Sequence, residues 1–153
     1  MKRTITGLAL AALAALAAGC GGDDALSKAD YVKQGNKICA DFETSIAKDA
    51  KKVLAGLRSE KDLTPDKARA FFDTALPKFD AAVEDLDDLA PPEGDEDKVQ
   101  AIIDAGKADS KNIAKAKKDD QAIRALLLNV GGAGATPKFA KTVKAYGLTK
   151  CGS

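Results

Sequence analysis

The chain has 153 residues, with 24 Lys and Arg against 23 Asp and Glu, and it contains no histidine, no tryptophan and no methionine after Met1. The length fits one domain, and the near-neutral charge argues against a nucleic-acid partner. The missing residue types exclude haem ligation through His or Met, zinc binding through His, and His-based acid–base catalysis. Helix caps and solvated faces account for the acids, so we expect a non-enzymatic protein without a cofactor.

The amino terminus has the pattern of an export signal. Lys2 and Arg3 precede an apolar run over residues 8–18, and small residues lead from this run to Cys20. This order is typical of a secretory signal. The run has eleven residues, whereas a membrane-spanning helix needs roughly 20, so we do not expect a permanent span.

The sequence Leu16-Ala17-Ala18-Gly19-Cys20 resembles the lipobox of bacterial lipoproteins. It departs from the usual pattern in having Ala17 where leucine is common. The resemblance implies that cleavage follows Gly19 and that Cys20 carries a thioether-linked diacylglyceryl group. It also implies an exported protein, lipid-anchored to the outer face of the cell membrane. Cleavage as an ordinary signal peptide, with Cys20 unmodified, is the alternative.

These features divide the chain into a signal peptide (1–19), a lipidated tether (20–26) and a single helical domain (27–153). The tether starts with two glycines after Cys20 and has no hydrophobic periodicity, which is typical of a flexible linker. Its six links reach at most roughly 20 Å. We therefore expect the domain to work close to the bilayer.

The first two helices are predicted from caps and apolar spacing. Ser27 followed by Asp30 predicts an N-cap, and apolar residues three and four apart predict a helix over 28–57. The dipeptide Thr64-Pro65 predicts the start of a second helix, over 65–89. Pro77 falls inside it, where we expect a kink and not a break.

The second half of the chain predicts two further helical segments. A break at 91–94 is followed by three acids suited to a helix N-terminus, which predicts a third helix over about 95–118. A fourth segment begins at 119, with a possible break at Gly131–Gly134 and a final cap at Gly147 in the left-handed conformation. The expected fold is an all-α bundle of four main helical segments.

The cysteines predict one disulfide. If Cys20 is alkylated, as the lipobox implies, Cys39 and Cys151 remain as an even pair in a compartment without the cytosolic reducing systems. We therefore expect them to pair and to close the bundle. Two unpaired thiols are the alternative.

Nine acids and no base lie between residues 80 and 97. Oxygen-rich clusters suit calcium, although this spacing does not match an EF-hand loop. A solvated turn is the competing interpretation. The weak candidates for a cation site are Asp85, Asp87, Asp88, Glu93 and Asp95.

The last segment is basic, with Lys138, Lys141, Lys144 and Lys150 and no acid among them. The spacing of three places the first three lysines on one side of a helix. These lysines could bind anionic lipid headgroups or an anionic wall polymer. Alternatively, they are ordinary solubilising residues or ion-pair partners of the acidic turn.

Two glycines on apolar helix faces, Gly35 and Gly106, admit two interpretations. They leave a small apolar cavity between helices, or they allow close helix packing.

Four motifs resemble a group of small Ala-rich exported helical proteins of high-GC actinobacteria, many of them lipoproteins. They are Ala29-Asp30-Tyr31-Val32, Asn36-Lys37-Ile38-Cys39, Pro91-Pro92 and the ending Tyr146–Gly152. The resemblance implies a helical domain whose ends are joined by a disulfide. It carries no activity and no functional residue, and the glycines at 131–134 depart from a continuous last helix.

The leading hypothesis is a membrane-anchored envelope lipoprotein that acts as a non-enzymatic interaction or structural module, with an envelope protein or polymer as partner. One alternative is a binding lipoprotein that holds a small apolar ligand between its helices. The weaker alternative is cation binding by the acidic turn.

Overall fold

The computed structural model describes residues 25–53, 55, 59, 62–129 and 137–151, and the regular secondary structure within them is helical, without a strand. The five helices in these ranges confirm the predicted all-α bundle. The last predicted segment is two separate helices, and the glycines at 131–134 lie outside the described residues. The helices are α1 (Lys28–Val53), α2 (Pro65–Asp87), α3 (Glu96–Ala116), α4 (Asp120–Asn129) and α5 (Pro137–Tyr146).

The helix starts follow the predicted capping chemistry. The Thr64 side chain accepts a hydrogen bond from the backbone N–H of Lys67, and Pro65 occupies the first turn. The Ser27 hydroxyl accepts from the backbone N–H of Asp30 at 3.1 Å. Each bond satisfies one N–H that has no partner inside its helix.

The helix lengths differ slightly from the prediction. Helix α2 runs through Pro77 as one helix, which confirms the predicted continuity, and the kink expected there stays a prediction. Helix α1 ends at Val53 and Ala55 lies in a turn, short of the predicted end at about 57, a position outside the described residues.

The end of α5 is a Schellman motif. Gly147 has a φ of +108°, a conformation that side chains disfavour. The N–H of Leu148 donates to the carbonyl of Val143 at 2.9 Å, and that of Gly147 donates to Lys144 at 3.1 Å. These two bonds define the motif and confirm the predicted left-handed cap. They turn the chain so that Leu148 is fully buried.

In cross-section the bundle has four helices, and the fourth is a different helix in each half. Helix α2 packs between α1 and α3, while α5 packs on α3 in one half and α4 packs on α2 and α3 in the other. We call the half that contains residues 25–28, residues 92–95 and Tyr146 the tether end. Its core cluster includes Tyr31, Phe79, Val83, Ile102, Phe139 and Leu148. The cluster of the opposite half includes Ile46, Phe71, Phe72, Ile113 and Ile123.

Close helix packing explains both glycines on apolar faces. A Cβ atom at Gly35 would lie 2.6 Å from Leu148 Cδ2, and one at Gly106 would lie 2.7 Å from Val83 Cγ2. Real side chains do not approach so closely, so each glycine allows a neighbouring element to pack directly on its helix backbone. The interpretation of these glycines as a cavity is wrong.

Candidate functional site

The proposed anchor, Cys20, lies outside the described residues, which begin at Ala25. Leu26 packs against the core cluster of the tether end. The described chain is thus packed on the domain from Leu26 onwards. None of the helices in the described ranges is long and apolar enough to cross a membrane.

The disulfide between Cys39 and Cys151 is confirmed. It joins α1 to the segment after α5, with Cα atoms 5.0 Å apart and a sequence separation of 112 residues. Both cysteines are buried, at 5% and 3% exposure. Asn36 reinforces the junction, since its Oδ1 accepts from the Lys150 N–H at 2.8 Å and its Nδ2 donates to the Gly147 carbonyl at 3.4 Å. The bridge thus closes the seam between α1 and the end of α5.

Asp95 is the centre of a polar cluster at the tether end. Its carboxylate accepts hydrogen bonds from Lys28 Nζ at 2.9 Å, from the Tyr146 hydroxyl at 3.1 Å, and from Lys98 Nζ. Lys28 Nζ also lies 4.6 Å from the centre of the Tyr146 ring, a cation–π contact. The cluster therefore joins the start of α1, the loop before α3 and the end of α5.

Contacts within this cluster shift the pKa values of its members. Hydrogen bonds from Lys98 and Lys28 lower the pKa of Asp95 from 3.8 to about 2. Burial, together with the hydrogen bond to Asp95, raises the pKa of Tyr146 well above its ordinary value. Tyr31, which donates to the Leu86 carbonyl at 3.2 Å, has its pKa raised to about 12 by burial and by the charge of Asp87. The cluster thus favours an ionised Asp95 beside neutral tyrosines.

The acidic residues proposed for a cation do not form a coordinating group. Asp95 forms ion pairs with Lys28 and Lys98. Asp87 forms an ion pair with Lys107 at 2.8 Å. Asp85, Asp88 and Glu93 are exposed. Among the described residues no three acids or cysteines are grouped so as to hold a metal ion. The geometry therefore favours a solvated turn for Asp85, Asp88 and Glu93, whereas Asp95 is buried among its own hydrogen-bond partners.

The basic residues of the last segment form an exposed face, which we call the α5 face and define as Lys138, Lys141 and Lys144. All three are exposed, and none forms an ion pair with any residue that the structure describes. The pairing of these lysines with the acidic turn is therefore not found. Lys150 is also exposed and lies beside the disulfide.

A groove between α3 and α5 adjoins the α5 face. Its apolar floor includes Ala101, Ile102 and Ala145, and Lys98 and Lys141 stand on its two sides. Lys98 lies on α3, where its Nζ is paired with Asp95. The lysines without an ion pair among the described residues on this side are those of the α5 face.

The cavity under the disulfide is small and apolar, at about 20 Å³. A single water molecule needs about 10–15 Å³ on this measure, so the cavity has no room for a small organic ligand. The described interior therefore does not favour the ligand-binding alternative. The residues around the cavity include Cys39, Phe42, Phe79, Val83, Phe139 and Cys151.

The sequence indicates only one of the three side-chain partners of Asp95. Its spacing to Lys98 is a local signal for an ion pair. Lys28 and Tyr146 are 67 and 51 residues away along the chain, and no local pattern brings them to the same carboxylate.

Comparison of the chain with protein-family models, with curated proteins and with solved structures finds no match.

Proposed function

We propose that the protein is a membrane-anchored envelope lipoprotein whose helical domain is a non-enzymatic interaction or structural module. The observation that carries the proposal is the position of Cys20. It ends an export-like leader and lies six residues before Leu26, which packs on the domain core. A lipid on Cys20 would keep the domain within roughly 20 Å of the bilayer.

The construction of the domain supports a role in contact and not in chemistry. Its two halves are filled by apolar side chains, and the disulfide joins positions near its ends. The charged side chains are arranged on its outside as an acidic stretch along α2 and a basic α5 face. A rigid body with separated charges suits recognition of a charged partner at the envelope.

Lipid labelling tests the proposal. Cells that express the full chain are grown with a labelled fatty acid, and the protein is recovered from the membrane fraction. We expect label in the wild-type protein and none in Cys20→Ser. The control is Cys39→Ser/Cys151→Ser, which removes two cysteines but should keep the label. An unlabelled wild-type protein, or label that persists in Cys20→Ser, would overturn the anchor.

A further inference from the structure

Helices α2 and α5 lie on opposite sides of the tether-end core. Helix α5 packs on α3 and, within the described chain, makes no backbone contact with α2. The two helices meet only through side chains in the core, where the Phe79 and Phe139 rings have centroids 5.5 Å apart. Their exposed surfaces therefore point in opposite directions.

These two surfaces carry opposite charge. The outer side of α2 after Lys78 exposes Asp80, Glu84, Asp85 and Asp87, of which Asp87 is paired with Lys107 of α3. The α5 face exposes three lysines, and residues 121–153 contain no acid. The exposed sides of α2 and α5 thus carry opposite charge, while Glu93, Glu96 and Asp97 expose further acids at the tether end.

The α5 face also lies near the point where the chain leaves the domain. Lys28, at the start of α1, contacts both Asp95 and the ring of Tyr146, the last residue of α5. A lipid attached six residues before Leu26 therefore keeps the carboxyl end of α5 close to the headgroups. An anionic surface there would attract the α5 side and repel the α2 side.

We propose that the α5 face binds anionic phospholipid headgroups, so that the anchored bundle lies on its side with α2 turned away from the membrane. This inference rests on the proposed lipid anchor for its geometry. It assigns the three lysines of α5 to the membrane and leaves the acidic surface of α2 available to other partners. Lys98, across the groove from Lys141, lies at the edge of the contact.

Lysine footprinting on vesicles tests the orientation. The full protein, purified from its host, is mixed with vesicles of phosphatidylcholine alone or with added phosphatidylglycerol, and acetylation of each lysine is measured by mass spectrometry. We expect acetylation of the α5 face to fall several-fold on the anionic vesicles. The exposed lysines at the far end of α1 (Lys48, Lys51 and Lys52) should keep their rates. Equal rates for the α5 face on both vesicles would overturn the proposal.

Charge variants separate the α5 face from general attraction. Lys138→Gln/Lys141→Gln/Lys144→Gln is compared with a matched control of equal charge change, Lys48→Gln/Lys51→Gln/Lys52→Gln. Lys98 serves as the reporter because its side chain is 62% exposed. Its protection on anionic vesicles should disappear in the α5 variant and remain in the control. Loss in both variants, or in neither, would contradict the proposed orientation.

Two further outcomes are informative. Protection of the α5 face by soluble poly(glycerol phosphate), without protection by anionic vesicles, would overturn the lipid proposal in favour of an anionic polymer. The mass of the amino-terminal peptide tests the anchor separately. If that peptide carries no acyl group, the anchor fails. Flotation of the unacylated protein with anionic but not neutral vesicles would still support lipid binding by the α5 face. The unacylated α5 variant should then bind anionic vesicles roughly 100-fold more weakly than the unacylated wild-type protein.

Discussion

Reduction of the disulfide should strongly destabilise the domain without changing its fold. The bridge closes a loop between positions 112 residues apart. The chain-entropy relation gives about 16 cal/mol/K for such a loop, or about 5 kcal/mol at 25 °C. Because whole domains are stable by only about 5–15 kcal/mol, this loss is a large part of the total. It arises mainly from greater freedom of the unfolded chain.

The folded state should keep its contacts after reduction. Leu148 remains buried against Gly35, and Asn36 still bonds to the segment that carries Cys151. We therefore expect the far-ultraviolet circular dichroism of the reduced protein to match that of the oxidised protein in the absence of denaturant.

Urea unfolding with and without a reductant measures the effect without a mutation. With a denaturant slope of about 1–3 kcal/mol/M, a loss of 5 kcal/mol lowers the midpoint by roughly 2–5 M. The variant Cys39→Ala/Cys151→Ala is the control, since reductant should leave its midpoint unchanged. If reduction of the wild-type protein costs less than about 1 kcal/mol, the size of an ordinary hydrogen bond, the loop-closure reasoning is refuted.

Three other predictions concern packing and ionisation. Gly106→Ala should lower the free energy of unfolding by about 1–3 kcal/mol, because its Cβ would clash with Val83. If the clash is the cause, the double variant Gly106→Ala/Val83→Ala should recover part of that loss. Chemical denaturation of both variants measures the two effects. Asp95 should stabilise the fold above its unfolded pKa of 3.8 and lose that effect as the pH falls towards about 2. Wild-type stability should therefore drop between pH 4 and pH 2 more than that of Asp95→Asn, and parallel curves would contradict this. Absorbance at 295 nm should show almost no phenolate at pH 10 in the folded protein, because the pKa values of Tyr31 and Tyr146 are raised. The urea-unfolded protein should be about half ionised at that pH, and equal absorbance in the two states would disprove the shifts.

Much of the fold could be predicted from the sequence because its signals are local. Thr64 and Pro65 start α2 through a bond to Lys67, three residues away. Gly147 ends α5 because the turn there needs a positive φ. The cysteine pair was predicted by counting, once Cys20 had been assigned to a lipid on the basis of a proposed export signal. Where local spacing was the only guide, as at the end of α1, the prediction was four residues too long.

The sequence by itself determined the helices, most of their caps and the two oppositely charged segments, since each depends on residues within a few turns of one another. The tertiary structure decided which charges meet. It brought Asp95 to Lys28 and Tyr146 across more than 50 residues, and it placed the acidic side of α2 opposite the α5 face. It also filled the space beside Gly35 and Gly106 with side chains from other elements. Such contacts depend on how whole helices pack around a shared core, and no short stretch of sequence specifies that arrangement.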